Sequence, residues 1–229
     1  MGKKRPSTDE RQLPTASNLC LSGIDKPEEV LKACLPALRK QLGNSLGFTS
    51  ADRTARVKRY AFTSANQQYG TARERYPILQ LCQSVKEIYW AGITVDFQFL
   101  NLSYQLVDAG IIIFQGDGFG EKAPVLRAEW HCSDEHLQAV HAQPHWHVYP
   151  TPSGQIGPGF SPNSPRDFAS DDQVKDVVDS KAQWKNFHFA MSAAWQCGDQ
   201  KAHISAITSA TALESWLCGC LSYIVGQLS

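Results

Sequence analysis

The chain has 229 residues, 42% hydrophobic and 19% charged, which gives enough apolar mass for a packed core and too little charge for an extended, unfolded chain. Its 22 basic and 22 acidic residues cancel, which excludes a global electrostatic field aimed at nucleic acid or an anionic membrane. No stretch reaches the roughly 18 apolar residues of a membrane span, and the start Met-Gly-Lys-Lys-Arg-Pro lacks the apolar segment of a secretion signal.

Residues 1–18 are charged and carry Pro and Ser with little to bury, so they read as a disordered arm ahead of a single α+β domain over 19–229. From Pro27 the pattern turns helical. Val30, Leu31, Cys34, Leu35, Leu38 and Leu42 recur at spacings of three and four, and Gly43 stops the helix. Residues 50–70 are basic and weakly periodic. A second helix is expected over 76–91, with Pro77 in its first turn, Leu81, Cys82, Val85, Ile88 and Tyr89 on one face, and Gly92 after its end.

The period then changes. Ile93 to Val107 is rich in β-branched and aromatic residues, Asp108-Ala-Gly110 reads as a turn, and Ile111-Ile-Ile-Phe-Gln115 as the returning strand. Val125–Cys132 and Pro144–Tyr149 add two more strand signals, and together these predict an antiparallel meander. The Pro/Gly/Ser-rich stretch 150–165 reads as a long irregular loop, and Ser170-Asp-Asp-Gln173 as the start of a short helix. At the end, Thr211-Ala-Leu-Glu214 reads as a capping box. Leu213, Trp216, Leu217, Cys220, Leu221, Ile224, Val225 and Leu228 then form an unbroken amphipathic helix. The expected fold is an antiparallel sheet of four or five strands (93–107, 110–116, 124–132, 144–150 and 186–191). Helices near 28–42, 76–91 and 212–228 should cover its apolar face.

Cysteine usage and local charge add two expectations. The seven cysteines, with no Cys-x-x-Cys pair and mostly apolar neighbours, fit a reducing, cytoplasmic compartment. Between Arg39 and Arg75, eight Lys/Arg stand against Asp52 and Glu74, a basic segment that could guide nucleic acid or form an ordinary solvated face.

The chemical anomaly is a concentration of histidines. His141, His145 and His147 fall within seven residues, with Glu129 and His131 just upstream. Strand side chains alternate faces. One face of 125–132 therefore carries Arg127, Glu129 and His131, and the other carries Leu126, Ala128, Trp130 and Cys132. In 144–150, His145, His147 and Tyr149 share a face, with Trp146 and Val148 opposite. If the two strands pair, the polar groups converge. Three uses fit that convergence. His141, His145 and His147, with Glu129 or His131 completing the shell, could hold a divalent metal such as zinc. Alternatively His145, His147, His131, Glu129, Arg127 and Tyr149 could perform metal-free acid–base catalysis on a phosphodiester, Arg127 stabilising the developing charge. In the third, the histidines are structural and hydrogen-bonded. His188 in Phe187-His-Phe189 could join the same face, and His136 and His203 read as surface residues.

The run His141-Ala-Gln-Pro-His-Trp-His147 resembles the His-x-Pro-Pro-His-x-His signature of small bacterial domains of unknown function, some encoded in toxin–antitoxin-like or phage-defence loci. His141, Pro144, His145 and His147 match it, and Gln143 replaces the first Pro. The resemblance covers about seven residues and implies a bacterial accessory or toxin-like protein. Two functions follow as expectations. One is a histidine-centred phosphodiesterase or nuclease whose loop 150–165 gates the site. The other is a non-enzymatic component of a multi-protein defence or toxin–antitoxin complex. No membrane partner is expected.

Overall fold

A computed structural model describes residues 16–65, 68–69, 77–83, 88–116, 122–132, 144–149, 189–190 and 206–228. Ala16–Leu19 form a single helical turn, α1. Helix α2 spans Pro27–Leu42 for local reasons: Pro27 opens it, Glu28 and Glu29 complement the dipole in its first turn, and Arg39 and Lys40 do so in its last. Gly43 follows at φ 100° and donates its N–H to the Arg39 carbonyl, a closure that L side chains resist. Pro36 lies within the helix without ending it. Helix α3 spans Ala210–Leu228, and its cap is Ser209, whose hydroxyl accepts the Ala212 N–H at 3.1 Å, in place of the expected Thr211 box.

Among the described residues the sheet has nine strands: β1 (Gly47–Asp52), β2 (Val57–Thr63), β3 (Gln68–Tyr69), β4 (Pro77–Gln83), β5 (Ile88–Leu100), β6 (Ser103–Gln115), β7 (Ala123–His131), β8 (His145–Val148) and β9 (Phe189–Ala190). Seven of them run in the order β1-β2-β5-β6-β7-β8-β9, while β4 pairs with the first part of β5 and with β3. Every pairing is antiparallel. The α+β class and the meander through β5, β6, β7 and β8 match expectation, but the sheet exceeds four or five strands.

Two expected elements differ. The helix over 76–91 is replaced by β4 and the start of β5. The reason is burial on both faces: Leu79, Ala91 and Ile93 pack under the helices, whereas Ile78 and Trp90 join Ile112 and Phe114 in a second apolar cluster. A strand buried on both sides loses its alternation and mimics helical spacing. The turn expected at Asp108-Ala-Gly110 lies inside β6, and the chain reverses instead at Asn101–Leu102, with φ 51° and 68°. Asp108 is held in the strand by pairing with His131, and a register shift opposite Asp96/Phe97 absorbs Val107.

The core lies between one sheet face and the two long helices. Tyr60, Phe62, Val95, Phe97, Ile111, Ile113, Ala128 and Trp130 from the sheet meet Leu31, Leu38, Leu213, Leu217 and Leu221. Trp130 is completely buried, and Trp146 packs on the same core while partly exposed. Alternation therefore sends Arg127, Glu129, His131, His145 and His147 to the opposite face. No helix among the described residues is long and apolar enough to cross a membrane. Residues 1–15 of the expected arm, the loop 150–165 and the helix after Ser170 lie outside the described residues.

Candidate functional site

The site is built from cross-strand rows. Register places Glu129 opposite His145 and Arg127 opposite His147, so β7 and β8 pair as parity demands. On the other side of β7, His131 lies opposite Asp108, and Asp108 opposite Asp96, which in turn faces Arg59 of β2. A polar band of Arg59, Asp96, Asp108 and His131 thus crosses four strands beside the row holding Glu129 and His145.

Glu129 is the hub, and only 5% exposed. Its Oε2 pairs with the Arg127 guanidinium. Its Oε1 lies 3.1 Å from His131 Nε2, 3.1 Å from His145 Nε2 and 2.8 Å from His147 Nε2. His145 Nε2 and His147 Nε2 are themselves 2.9 Å apart. Beyond this cluster, His131 Nδ1 sits 2.6 Å from Asp108 Oδ2. Both ring nitrogens of His131 therefore face carboxylate oxygens, the pattern of a doubly donating imidazolium.

The electrostatics follow from these contacts. Burial opposes ionisation of Glu129, but contacts from His131, His145 and His147, with Arg127 behind them, outweigh it and hold the carboxyl far below its usual range. Burial likewise opposes a charged His131, yet Asp108 and Glu129 raise it to about 10. His145, 3% exposed, is pushed the other way: burial dominates the help from Glu129, and the neighbouring imidazoles add to the decrease. The contacts thus favour the charged form of His131 and the neutral form of His145.

Glu129, His145 and His147 form a group that could hold a metal ion, with one ligand atom from each lying within 4.8 Å of the others. The triangle Oε1, Nε2, Nε2 has sides of 2.8–3.1 Å. Metal–ligand bonds of 2.0–2.1 Å in a tetrahedron separate donors by about 3.3 Å, so a few tenths of an ångström of opening would admit a cation. His131 already has both nitrogens engaged with carboxylates, which leaves three candidate ligands among the described residues. This His₂Glu set is found in catalytic zinc centres, and two histidines with one carboxylate also suit iron.

Of the residues expected from sequence, Arg127, Glu129, His131, His145 and His147 are brought together. Tyr149, just past β8, bonds Val125 through its backbone and stands close enough to Arg127 to act on it electrostatically. His141, His136, His188 and His203 lie outside the described residues.

Sequence reasoning missed Asp96, Asp108, Arg53 and Arg59. Arg59 Nε and Nη2 donate to Asp96 at 2.8 and 2.9 Å, and Arg53 Nη1 donates to it at 2.8 Å. The basic segment 39–75 therefore divides. Arg53 and Arg59 reach the site face, whereas Arg39 caps the Leu46 carbonyl and Lys58 pairs with Glu28 beside Tyr60. An open depression of about 360 Å³ adjoins His131, lined by Arg53, Thr54, Val57, Asp96, Val107 and Asp108. No protein-family model, curated protein or solved structure matches this chain.

Proposed function

We propose that this protein is a metal-dependent phosphodiesterase of nuclease type, with a divalent cation, zinc foremost, held by Glu129, His145 and His147. The observation that carries the reading is the triangle of donor atoms with sides of 2.8–3.1 Å on a buried carboxylate. Protons along those edges cannot be collinear with all three at once, whereas a cation above the triangle accepts one lone pair from each. Arg127 and His131 act as supporting residues that fix the carboxylate, as outer partners do in metal centres. When bound, the cation would supply an activated water and a Lewis acid at neutral pH. His131 and Asp108 link the centre to the depression, where guanidinium charge supports a phosphate-bearing substrate.

Burial argues against His145 as a metal-free acid or base. An imidazole that is 3% exposed, as His145 is, cannot reach a substrate proton, but it can be a ligand. The same burial favours a second reading, a structural metal in a non-enzymatic component of a multi-protein system.

The test is metal analysis of the purified protein together with cleavage of bis(p-nitrophenyl) phosphate, RNA and DNA. We expect one equivalent of metal per chain and activity that chelation removes and zinc restores. The double variant His145→Ala/His147→Ala should lose both. Metal without cleavage would select the structural reading, and failure to take up any divalent cation would sink both.

A further inference from the structure

The row beside the proposed centre contains a feature that metal binding does not use. Asp96, 1% exposed, accepts from two arginines at once. One carboxylate is met by two guanidiniums, and Asp108 on the same wall is engaged at 2.6 Å by His131 Nδ1. Arg59 spends Nε and Nη2 on Asp96, but Arg53 donates only Nη1 to it, and its side chain remains 43% exposed. Its backbone is fixed as well: Arg53 N–H donates to the Val57 carbonyl at 2.9 Å, and the Thr54 hydroxyl accepts the Val57 N–H at 3.0 Å. A guanidinium anchored through one nitrogen, with the rest of its fork uncommitted, is preorganised for an oxyanion.

We propose that the depression beside His131 is the phosphate subsite of the centre, with Arg53 donating to the non-bridging oxygens and the wall of Val57 and Val107 receiving the esterified group. This rests on the phosphodiesterase reading and narrows it. A volume of about 360 Å³ falls in the range of small-molecule sites and accommodates a phosphate with one ring-sized substituent. The apolar wall selects a phosphate ester over the bare ion, because a ring buries surface against valine that inorganic phosphate lacks.

The experiment titrates phenyl phosphate and inorganic phosphate into metal-free protein by calorimetry and measures zinc uptake on the same samples. Both phosphates should bind, phenyl phosphate more tightly. Arg53→Gln should weaken both by about ten- to a hundredfold, the effect of losing one charge-assisted contact, with zinc stoichiometry unchanged. Arg53→Lys, which keeps a cation beside Asp96, should fold normally and recover only part of the affinity. Arg56→Gln removes an exposed arginine from the same turn and should change nothing. Equal weakening by Arg53→Gln and Arg56→Gln would mean a diffuse basic field and overturn the subsite, as would absence of phosphate binding. Zinc uptake with Arg53-independent phosphate binding overturns the subsite alone. Arg53-dependent binding without zinc uptake overturns the metal reading and supports the anion site.

Discussion

Replacing Glu129 with Gln tests the hub independently of any metal. The substitution keeps volume and an acceptor oxygen but removes the charge that faces Arg127, His131, His145 and His147. Breaking a buried ion pair by deleting one partner costs about 3–5 kcal/mol, and the retained oxygen and partly exposed Arg127 reduce this to about 2–4 kcal/mol. The loss should depend on pH in a definite direction. His131 is raised to about 10, so its contribution is complete below its ordinary value of 6.5 and fades as pH rises through 10. Without the Glu129 charge that elevation shrinks, so the variant loses more at pH 6 than at pH 9. Urea unfolding in chelator at both pH values, with unchanged slopes, measures the difference. A change under about 0.5 kcal/mol at pH 6, or a greater loss at pH 9, refutes the hub.

On the core side of the same strand, Trp130→Ala should cost about 3–5 kcal/mol by urea unfolding and leave zinc stoichiometry intact, while partly exposed Trp146→Ala costs less. Leu102 is 90% exposed at φ 68°, so Leu102→Gly should stabilise the hairpin by about 1 kcal/mol, read as a higher unfolding midpoint. Zinc affinity should fall on acidification as protons compete with the metal, and because burial favours neutral His145 that residue resists the competition to lower pH than an exposed imidazole, read by zinc titration across pH. Replacing Arg127, Glu129, His145 and His147 together with Met and Leu should abolish zinc uptake while holding or raising stability, since well-packed apolar groups often replace buried ion pairs at no loss.

Strand parity alone placed Arg127, Glu129, His131, His145 and His147 on one face and Trp130 and Trp146 on the other, because polar and apolar residues alternate along β7 and β8. Helices α2 and α3 were equally legible from unbroken apolar spacing. What parity within a strand cannot supply is register between strands. Asp108 looked like the first residue of a turn, and the shift at Val107 that sets it opposite Asp96 leaves no mark in composition. Asp96 was visible as an acid inside an apolar run, a signal for a paired interior carboxylate. The arginines that hold it, Arg59 in β2 and Arg53 in the turn before β2, come from a stretch that is mostly polar and exposed. The expected helix over 76–91 failed for the opposite reason, since two apolar faces erase the alternation.

That second apolar cluster also bears on why the polar face exists. Along β6, Ile112 and Phe114 point to the same side as Asp108 and Gly110, and both are buried. One end of this face is therefore packed with Ile78, Trp90, Ile112 and Phe114, while the other buries Asp96, Glu129 and His145. Stability alone does not favour that difference, because desolvating charge consumes most of what the ion pairs return. Nor does strand formation require it, since β7 and β8 would accept branched apolar residues at the same positions. Arg127 even leaves its Nε buried without a hydrogen-bond partner, an orphaned donor that an apolar side chain would avoid. A fold that can bury apolar residues on this face yet gathers Arg127, His131, His145 and His147 around one buried carboxylate is what the proposed ligand site would call for. The neighbouring row, in which Arg53 and Arg59 hold Asp96, continues the same polar face across β2 and β5.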